Sequence, residues 1–309
     1  MTKVRPDNPS NLKDFKVLSF DVYSTLIDEP SGMFTGLQPL LSRLPPLNPY
    51  SNNRENTLAE FGGFEHELQA SQPSLRYNEL LPLAYKAFAK YLGLDGPSED
   101  EAKAFGDSIG TWPAFPDTVK ALLSLSKQYK LVILSNIDVD SISRTISGPL
   151  SPVKFDLVLT AQEIGSYKPD LKNFEYLIQK IGSELGIEKG QILHTAQSLR
   201  ADMVPGKKIG LSGAWIDRER QDEKVKMLKE RGEVDFTWRF ESMGEMAEAQ
   251  SLRADMVPGK KIGLSGAWID RERQDEKVKM LKERGEVDFT WRFESMGEMA
   301  EGPTPPPNS

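Results

Sequence analysis

The stretch Lys16-Val-Leu-Ser-Phe-Asp21 is a short apolar run that ends in an acid. A run of this length is typical of a strand that is buried on both faces of a sheet. Four similar runs follow it, at residues 130–134, 155–159, 191–195 and 213–216. Helical patterns alternate with these runs, at residues 117–128, 172–185 and 199–209. Short apolar strands that alternate with helices predict an α/β fold whose parallel sheet is covered on both faces.

The composition excludes several classes of function. The chain has 309 residues, no cysteine and two histidines, which excludes a disulfide scaffold, an iron–sulfur cluster and a cysteine nucleophile, and argues against a multi-histidine metal site. A formal net charge of −7 argues against a general nucleic-acid-binding protein. No apolar run approaches the roughly 20 residues of a membrane span. The first ten residues lack an apolar core, so we expect no secretory signal and a cytoplasmic location.

Residues 31–112 differ from the regular segments on either side. Helical patterns at residues 80–94 and 99–109 lie there between loops rich in proline and asparagine, and we find no clear strand. This segment is predicted to be a helical insertion. The core is then formed by residues 15–30 and 113–248.

The C-terminal part of the chain contains an exact repeat. Residues 196–248 recur without a change as residues 249–301. Repeat architectures need at least three units for stability, so this pair indicates a recent tandem duplication or an error in the gene model. The second copy does not follow a strand, and we expect it to be non-functional and to compete with the first copy for one place in the sheet. The Pro-rich residues 302–309 are predicted to be a disordered tail.

Ligands of open parallel sheets bind at the carboxyl ends of the strands. In this sequence, those ends carry Asp21-Val-Tyr-Ser-Thr25, Ser135-Asn136, Tyr167-Lys168-Pro-Asp170 and, after the fourth strand, Asp202. A carboxylate at the end of a buried strand can face a cavity as a nucleophile. Hydroxyl and amide groups can donate hydrogen bonds to an anionic ligand, and a lysine can offset the repulsion between two anions.

These four motifs resemble, in order and spacing, those of the haloacid dehalogenase superfamily. The resemblance covers about residues 15–240, with residues 31–112 in the place of the helical cap. It implies a Rossmann-like parallel-sheet core with an inserted α-helical cap. It also implies catalytic roles for Asp21, Lys168 and Asp202, and substrate-binding roles for the remaining motif residues, which are Tyr23, Thr25, Ser135 and Asn136.

Two positions distinguish between the branches of that superfamily. Phosphatases carry an acid two residues after the nucleophile, where this chain has Tyr23, a phenol with an ordinary pKa of roughly 10. Gln197 stands where the first acid of a magnesium site is expected. Both departures favour a resemblance to the metal-free (S)-2-haloacid dehalogenases of type II, which require no cofactor. The run His194-Thr-Ala-Gln-Ser-Leu199 resembles fungal members of this branch, and His194 itself is more typical of a satisfied core histidine than of a base.

The resemblance implies that Asp21 displaces halide from a 2-haloalkanoate and that water hydrolyses the aspartyl ester to a 2-hydroxy acid. The expected partner is a small-molecule carboxylate, with no nucleic acid or membrane, and a homodimer is the candidate assembly. The halide-binding arginine of bacterial relatives has no counterpart near Gly62, and the sequence does not place Arg43, Arg54 or Arg76 in the site. A magnesium-dependent phosphatase for a small phosphorylated metabolite and a non-catalytic binding protein therefore stay open as alternatives.

Overall fold

The computed structural model describes residues 12–72, 75–219, 222–255, 267–269 and 291–293. The chain divides into two compact units, Met1–Ala247 and Glu248–Ser309, and each is described by itself. The predicted tail, residues 302–309, and most of the second copy of the repeat lie outside the described residues. No helix in the described ranges is both long enough and apolar enough to cross a membrane.

The first unit is built on a parallel sheet. Its strands are β1 (Val17–Phe20), β2 (Lys130–Ser135), β3 (Leu157–Thr160), β4 (Ile192–Ala196), β5 (Ser212–Ile216) and β6 (Trp238–Phe240). They lie in the order β3-β2-β1-β4-β5-β6, and every neighbouring pair is parallel. Every residue of β1 and β4 is buried, as expected for central strands with helices on both faces. The predicted α/β fold class is confirmed, and the strand order reverses beside β1, where ligands of such sheets bind.

Helices cover the sheet. In chain order they are α5 (Thr118–Leu125), α6 (Val139–Ser147), α7 (Ala161–Ile164), α8 (Leu171–Leu185), α9 (Val204–Ile209) and α10 (Asp222–Glu230). The last helix of the chain, α11 (Met243–Asp255), begins in the first unit and ends in the second. The predicted helix over residues 199–209 is present, but its first part is a π-helical turn at Leu199–Met203 that precedes α9. There the N–H of Met203 donates to Ser198 O, five residues back, and Pro205 has no N–H to continue an α-helical ladder.

The cap contains four helices, of which the sequence predicted two. They are α1 (Glu29–Leu41), α2 (Arg54–Ser71), α3 (Tyr77–Tyr91) and α4 (Glu99–Asp107). In α1, a Cβ atom on Gly32 would lie 2.2 Å from a ring carbon of Trp112, and one on Gly36 would lie 2.7 Å from Phe105. These glycines allow α1 to approach the aromatic side chains closely. Because glycine is a poor helix former, they also make α1 hard to predict from the sequence.

The described parts of the second unit include a pair of parallel strands, β7 (Ala267–Ile269) and β8 (Trp291–Phe293). These segments are the second copies of β5 and β6. Ala267 pairs with Trp291 as Ala214 pairs with Trp238, so the register is the same in both copies. The expectation that the second copy competes for a place in the main sheet does not match this arrangement, because its two strands pair with each other.

Candidate active site

Asp21 is the first residue after the central strand β1. Its backbone N–H donates to Thr195 O at 3.1 Å, which extends the pairing with β4 by one residue. The Thr25 hydroxyl donates to Asp21 Oδ2 at 2.7 Å, and the same hydroxyl accepts a hydrogen bond from the backbone N–H of Gln197 at 2.9 Å. The Thr25 hydroxyl therefore orients the Asp21 carboxylate and connects the end of β1 to the loop after β4.

Lys168 lies between two carboxylates beneath the cavity. Its Nζ atom donates to Asp21 Oδ1 at 2.8 Å, to Asp202 Oδ1 at 2.7 Å and to Leu134 O at 3.1 Å. Its side chain is only 2% exposed. An ammonium group has three protons, so these acceptors account for all of them. The structure thus brings Asp21, Lys168 and Asp202 together from three separate loops, and Lys168 supplies one positive charge for two negative ones.

Asn136 lines the cavity and also contacts the backbone of Lys168. Its side-chain oxygen accepts from the backbone N–H of Lys168 at 2.7 Å, and its amide nitrogen donates to Lys168 O at 3.0 Å. Both ends of the amide therefore hold the backbone of the lysine. Its neighbour Ser135, which also lines the cavity, forms no side-chain hydrogen bond with the described residues, so its hydroxyl is available to a ligand.

A buried chain of polar groups supports Asp202 from behind. The Ser19 hydroxyl shares a hydrogen bond of 2.9 Å with His194 Nδ1, and His194 Nε2 lies 2.9 Å from Asp202 Oδ1. His194 is buried with both ring nitrogens bonded, in agreement with the expectation of a satisfied core histidine. Its partner is a site residue, however, which the apolar pattern of β4 did not indicate. The second oxygen, Asp202 Oδ2, is buried and has no hydrogen-bond partner among the described residues.

Burial and charge act in opposite directions on the acids of this group. Burial favours the neutral form of Asp202, but Lys168 and His194 hold the pKa of its carboxyl below the ordinary value. Burial raises the pKa of Asp21, with the charge of Asp202 adding to the effect and Lys168 and Thr25 opposing it. Burial alone would lower the pKa of Lys168, yet the two carboxylates raise it, so the lysine stays charged. The site therefore holds a permanent cation beside two unequal acids.

The environment of Tyr23 does not suit a general acid. Its hydroxyl lies 2.9 Å from the Thr145 hydroxyl of α6, which itself donates to Ser141 O, so Tyr23 is the donor to Thr145. The ring packs edge-on against Trp112, and burial raises its pKa above the ordinary value for a phenol. Its proton is therefore donated to Thr145 and is only weakly acidic.

The site opens into a cavity of about 270 Å³. The residues that line it from the core are Asp21, Tyr23, Ser24, Ser135, Asn136, Lys168, Gln197, Ser198, Ala201 and Asp202. Helices α1, α2 and α3 contribute one side chain each that the sequence analysis missed, namely Glu29, Gln69 and Tyr77. A space of this size suits a small organic molecule rather than a polymer. The signal for the cap residues is weak, because only Glu29 lies near a motif.

None of the three arginines considered for a halide site lines this cavity. Arg43 pairs with Glu101, and Arg76 pairs with Glu79. Arg54 donates to the Ser31 hydroxyl at 2.9 Å. Within the described ranges, Lys168 is therefore the cation of the cavity.

Comparisons with known proteins agree with this architecture. No protein-family model matches the chain. A curated relative, the pyrimidine 5'-nucleotidase YjjG of Escherichia coli, is 22% identical over 94 residues, which is 30% of this chain and 37% of that protein. The chain thus matches less than half of the length of this relative.

Solved structures are similar over most of the chain. The L-2-haloacid dehalogenase of Xanthobacter autotrophicus has a TM-score of 0.60 and 18% identity, and covers 76% of this chain and 97% of its own. The L-2-haloacid dehalogenase PA0810 has a TM-score of 0.59 and 19% identity, over 77% of this chain and 99% of its own. The HAD-hydrolase YfnB of Bacillus subtilis, solved with magnesium, has a TM-score of 0.59 and 18% identity, over 77% of this chain and 99% of its own. The chain shares the fold of these solved structures, a Rossmann-like parallel-sheet core with a helical cap.

The side chains at the centre of the site are a poor donor set for a magnesium ion. A hard cation prefers several carboxylate or carbonyl oxygens. The described residues contain no group of three acidic or histidine side chains placed to hold a metal ion. The two carboxylates at the centre already share the ammonium of Lys168, and Gln197 contributes no charge. The reaction proposed for this site therefore uses protein side chains and no metal ion.

Proposed function

We propose that this chain is a hydrolase that displaces halide from a 2-haloalkanoate and releases a 2-hydroxy acid. One observation carries the proposal: the Asp21 carboxylate is held by Lys168 and Thr25 in a small cavity, while the Tyr23 hydroxyl is bonded to α6. A halide needs no proton to leave, so a nucleophile without an acid two residues after it suits halide displacement better than the cleavage of a phosphate ester. The similarity to L-2-haloacid dehalogenases supports the same choice.

In the first step, one oxygen of Asp21 attacks C2 of the substrate on the face opposite the halogen. The oxygen–carbon bond forms as the carbon–halogen bond breaks, and the halide leaves with the electron pair. Thr25 and Lys168 each bind one oxygen of the nucleophile, so the carboxylate is oriented before the substrate arrives. We assign the carboxylate of the substrate to the Ser135 hydroxyl and to the positive field of Lys168.

In the second step, water attacks the carbonyl carbon of the aspartyl ester. Asp202 Oδ2 is an acceptor without a partner among the described residues, on a side chain that lines the cavity, so we assign it the proton of that water. Lys168 stabilises the negative charge that develops on the carbonyl oxygen. As the acyl–oxygen bond breaks, Asp202 returns the proton to the departing alkoxide oxygen, which completes the 2-hydroxy acid. The regenerated Asp21 carboxyl then loses the second proton of the water to solvent.

The test is halide release from L-2-chloropropanoate in the presence of a chelator. We expect turnover by the wild type, none by Asp21→Asn, and full turnover by the matched control Asp140→Asn, which changes an exposed acid on α6. A single turnover in H₂¹⁸O should label the Asp21 carboxylate. Activity that survives in Asp21→Asn, or label that appears in the product alone, would contradict the nucleophile assignment.

A phosphatase for a small phosphorylated metabolite is the second candidate, favoured by the match to a 5'-nucleotidase. Magnesium-dependent hydrolysis of p-nitrophenyl phosphate without halide release from any 2-haloacid would support it. If a broad panel of both substrate classes gave no turnover, the chain would be a binding protein. The cytoplasmic location and the homodimer stay predictions, to be checked by fractionation and by sedimentation.

A further inference from the structure

Arg218 is a largely buried cation that the reaction above does not use. It is the second residue after β5, and its side chain is 11% exposed. Its guanidinium carbon lies 4.0 Å from the centre of the Phe115 ring. Arg218 is not among the residues that line the cavity, so any part that it takes in the reaction is indirect.

The guanidinium of Arg218 binds both segments that join the core to the cap. Its Nη2 atom donates to Thr25 O at 3.0 Å, on the segment that leads from β1 into the cap. Its Nη1 atom donates to Asp117 Oδ1 at 2.8 Å, on the segment that returns from the cap to the core. The two segments also bind each other, since the N–H of Asp28 donates to Pro113 O at 2.7 Å. Arg218 therefore connects the end of β5 to both segments at once.

The Thr25 carbonyl depends on this arginine for its hydrogen bond. Among the described residues, no backbone N–H donates to Thr25 O. Thr25 is fully buried, and a buried carbonyl without a donor is unfavourable. The side chain of the same residue binds Asp21, because its hydroxyl donates to Asp21 Oδ2 at 2.7 Å. Arg218 thus holds the backbone of the residue that orients the nucleophile.

A guanidinium is a costly group at this place. Arg218 Nε is buried and has no hydrogen-bond partner among the described residues. Its carboxylate partner is held from a second side, since Asp117 Oδ2 accepts from the N–H of Gly244 at 3.0 Å. Burial favours the neutral form of Asp117, but Arg218 and Gly244 hold the pKa of its carboxyl below the ordinary value. An apolar side chain could cover Phe115 without these costs, so the polar contacts are what the arginine adds.

We propose that Arg218 is a positioning residue for the reaction: by binding Thr25 O, it keeps the Thr25 hydroxyl on Asp21 Oδ2 and so aligns the nucleophile with C2 of the substrate. This inference rests on the proposed function, and it gives Arg218 no part in bond making or proton transfer. A misalignment of about 1 Å can lower a rate about 100-fold. Arg218→Met should therefore slow halide release in a single turnover by up to about 100-fold. It should change the half-saturating substrate concentration little, because the substrate is assigned to Ser135 and Lys168.

The acid fall of the pH profile separates positioning from a loss of stability, because Asp21 must be ionised to attack. Burial raises the pKa of Asp21, and the hydrogen bond from Thr25 opposes this effect. The charged groups that face Asp21 are unchanged in the variants; they are Lys168, Asp202 and Glu29. A displaced Thr25 hydroxyl should therefore move the acid fall to higher pH in Arg218→Met. Thr25→Val should move it in the same direction, and adding Arg218→Met should move it no further, because no hydroxyl is left to align.

The experiment measures single-turnover halide release from L-2-chloropropanoate over a range of pH, together with the urea midpoint of each variant. The matched control is Arg239→Met, which removes another guanidinium that is paired with a carboxylate and lies over a ring, those of Asp217 and Trp215. It should lower stability without moving the acid fall. If Arg218→Met alone does not fold, Arg218→Met combined with Asp117→Asn removes the charge pair as a whole and takes its place, with Asp117→Asn as its reference.

The outcomes separate the positioning role from the proposed reaction. An acid fall that moves to higher pH in Arg218→Met, and that moves no further in the double variant with Thr25→Val, supports the inference. An acid fall that stays in place, or a shift that adds to that of Thr25→Val, overturns the inference while the nucleophile assignment stands. A wild type that releases no halide from any 2-haloalkanoate overturns the proposed function and this inference with it.

Discussion

Replacing Lys168 by methionine would leave two buried carboxylates without their shared cation. The ammonium lies 2.8 Å from Asp21 Oδ1 and 2.7 Å from Asp202 Oδ1, and the Asp202 side chain is 1% exposed. Methionine has nearly the same length but neither charge nor protons. A buried carboxylate that loses its partner either stays charged at a high cost or takes up a proton.

Protonation sets the upper limit of this cost. The ordinary pKa of an aspartic acid is 3.8, so keeping Asp202 neutral at pH 7 requires a shift of about 3 units, which is roughly 4 kcal/mol. At pH 5 the same shift is about 1 unit, or roughly 1.6 kcal/mol. In the wild type the pKa of Asp202 is lowered, so its contribution to stability is present above the ordinary pKa and is lost as the pH falls. The variant should therefore lose about 4 kcal/mol at pH 7 and about 2 kcal/mol at pH 5.

Urea unfolding at the two pH values measures these losses. The control is Lys130→Met, which breaks a pair of the same length, 2.7 Å, to Asp156 on the surface, where the lysine side chain is 56% exposed. An exposed pair contributes less than about 1 kcal/mol, with little dependence on pH. Asp202→Asn in the Lys168→Met background should recover most of the loss. A loss no larger than that of the control, or one that does not shrink at pH 5, would refute the assignment of Lys168 as the buried counter-ion.

Three further predictions concern other parts of the chain. Thr25→Val removes the donor to Asp21 and the acceptor of the Gln197 N–H, so we expect about 1–3 kcal/mol less stability in urea and slower turnover; wild-type values for both would contradict its positioning role. Deletion of residues 249–301 should leave halide release and the urea midpoint nearly unchanged, since every residue of the main sheet and cavity precedes them, whereas a severe loss would show that the second copy is needed. Glu65→Gln removes an acid whose pKa is raised by burial to about 8. Between pH 5 and pH 8 the wild type loses stability as Glu65 ionises and the variant does not, so the free energy of unfolding of the variant should rise relative to that of the wild type by on the order of 1 kcal/mol. A difference that does not change with pH would show that Glu65 titrates normally.

The sequence was sufficient for the sheet and for the centre of the candidate site. Buried parallel strands are continuous apolar runs, so β1, β2 and β4 were visible within a residue or two of their ends. The carboxyl ends of such strands meet at one edge, which brought Asp21, Lys168 and Asp202 together in the prediction. β6 was missed because Trp238-Arg-Phe240 is too short and too polar to show a pattern.

The cap side of the cavity depended on packing that no local pattern reports. In α2 only Thr57 and Phe61 are buried, so the helix has no apolar stripe. Glu29 and Tyr77 line the cavity together with residues that are distant in sequence, such as Lys168, and local sequence does not predict such a tertiary arrangement. The hydrogen bonds between Asn136 and the backbone of Lys168 are tertiary contacts too, and no local pattern predicts them.

The strand pair β7–β8 has a consequence for how such a chain could arise. It repeats the register of β5–β6, so the residues that determine this pairing lie entirely within the duplicated segment, residues 196–248. The pairing of β5 with β4 draws on residues that precede the duplicated segment. A copy inserted at this boundary therefore arrives with a strand partner of its own and does not need to displace one already in use. A duplication at this point is, for that reason, an addition that selection can tolerate, which leaves the second copy free to diverge.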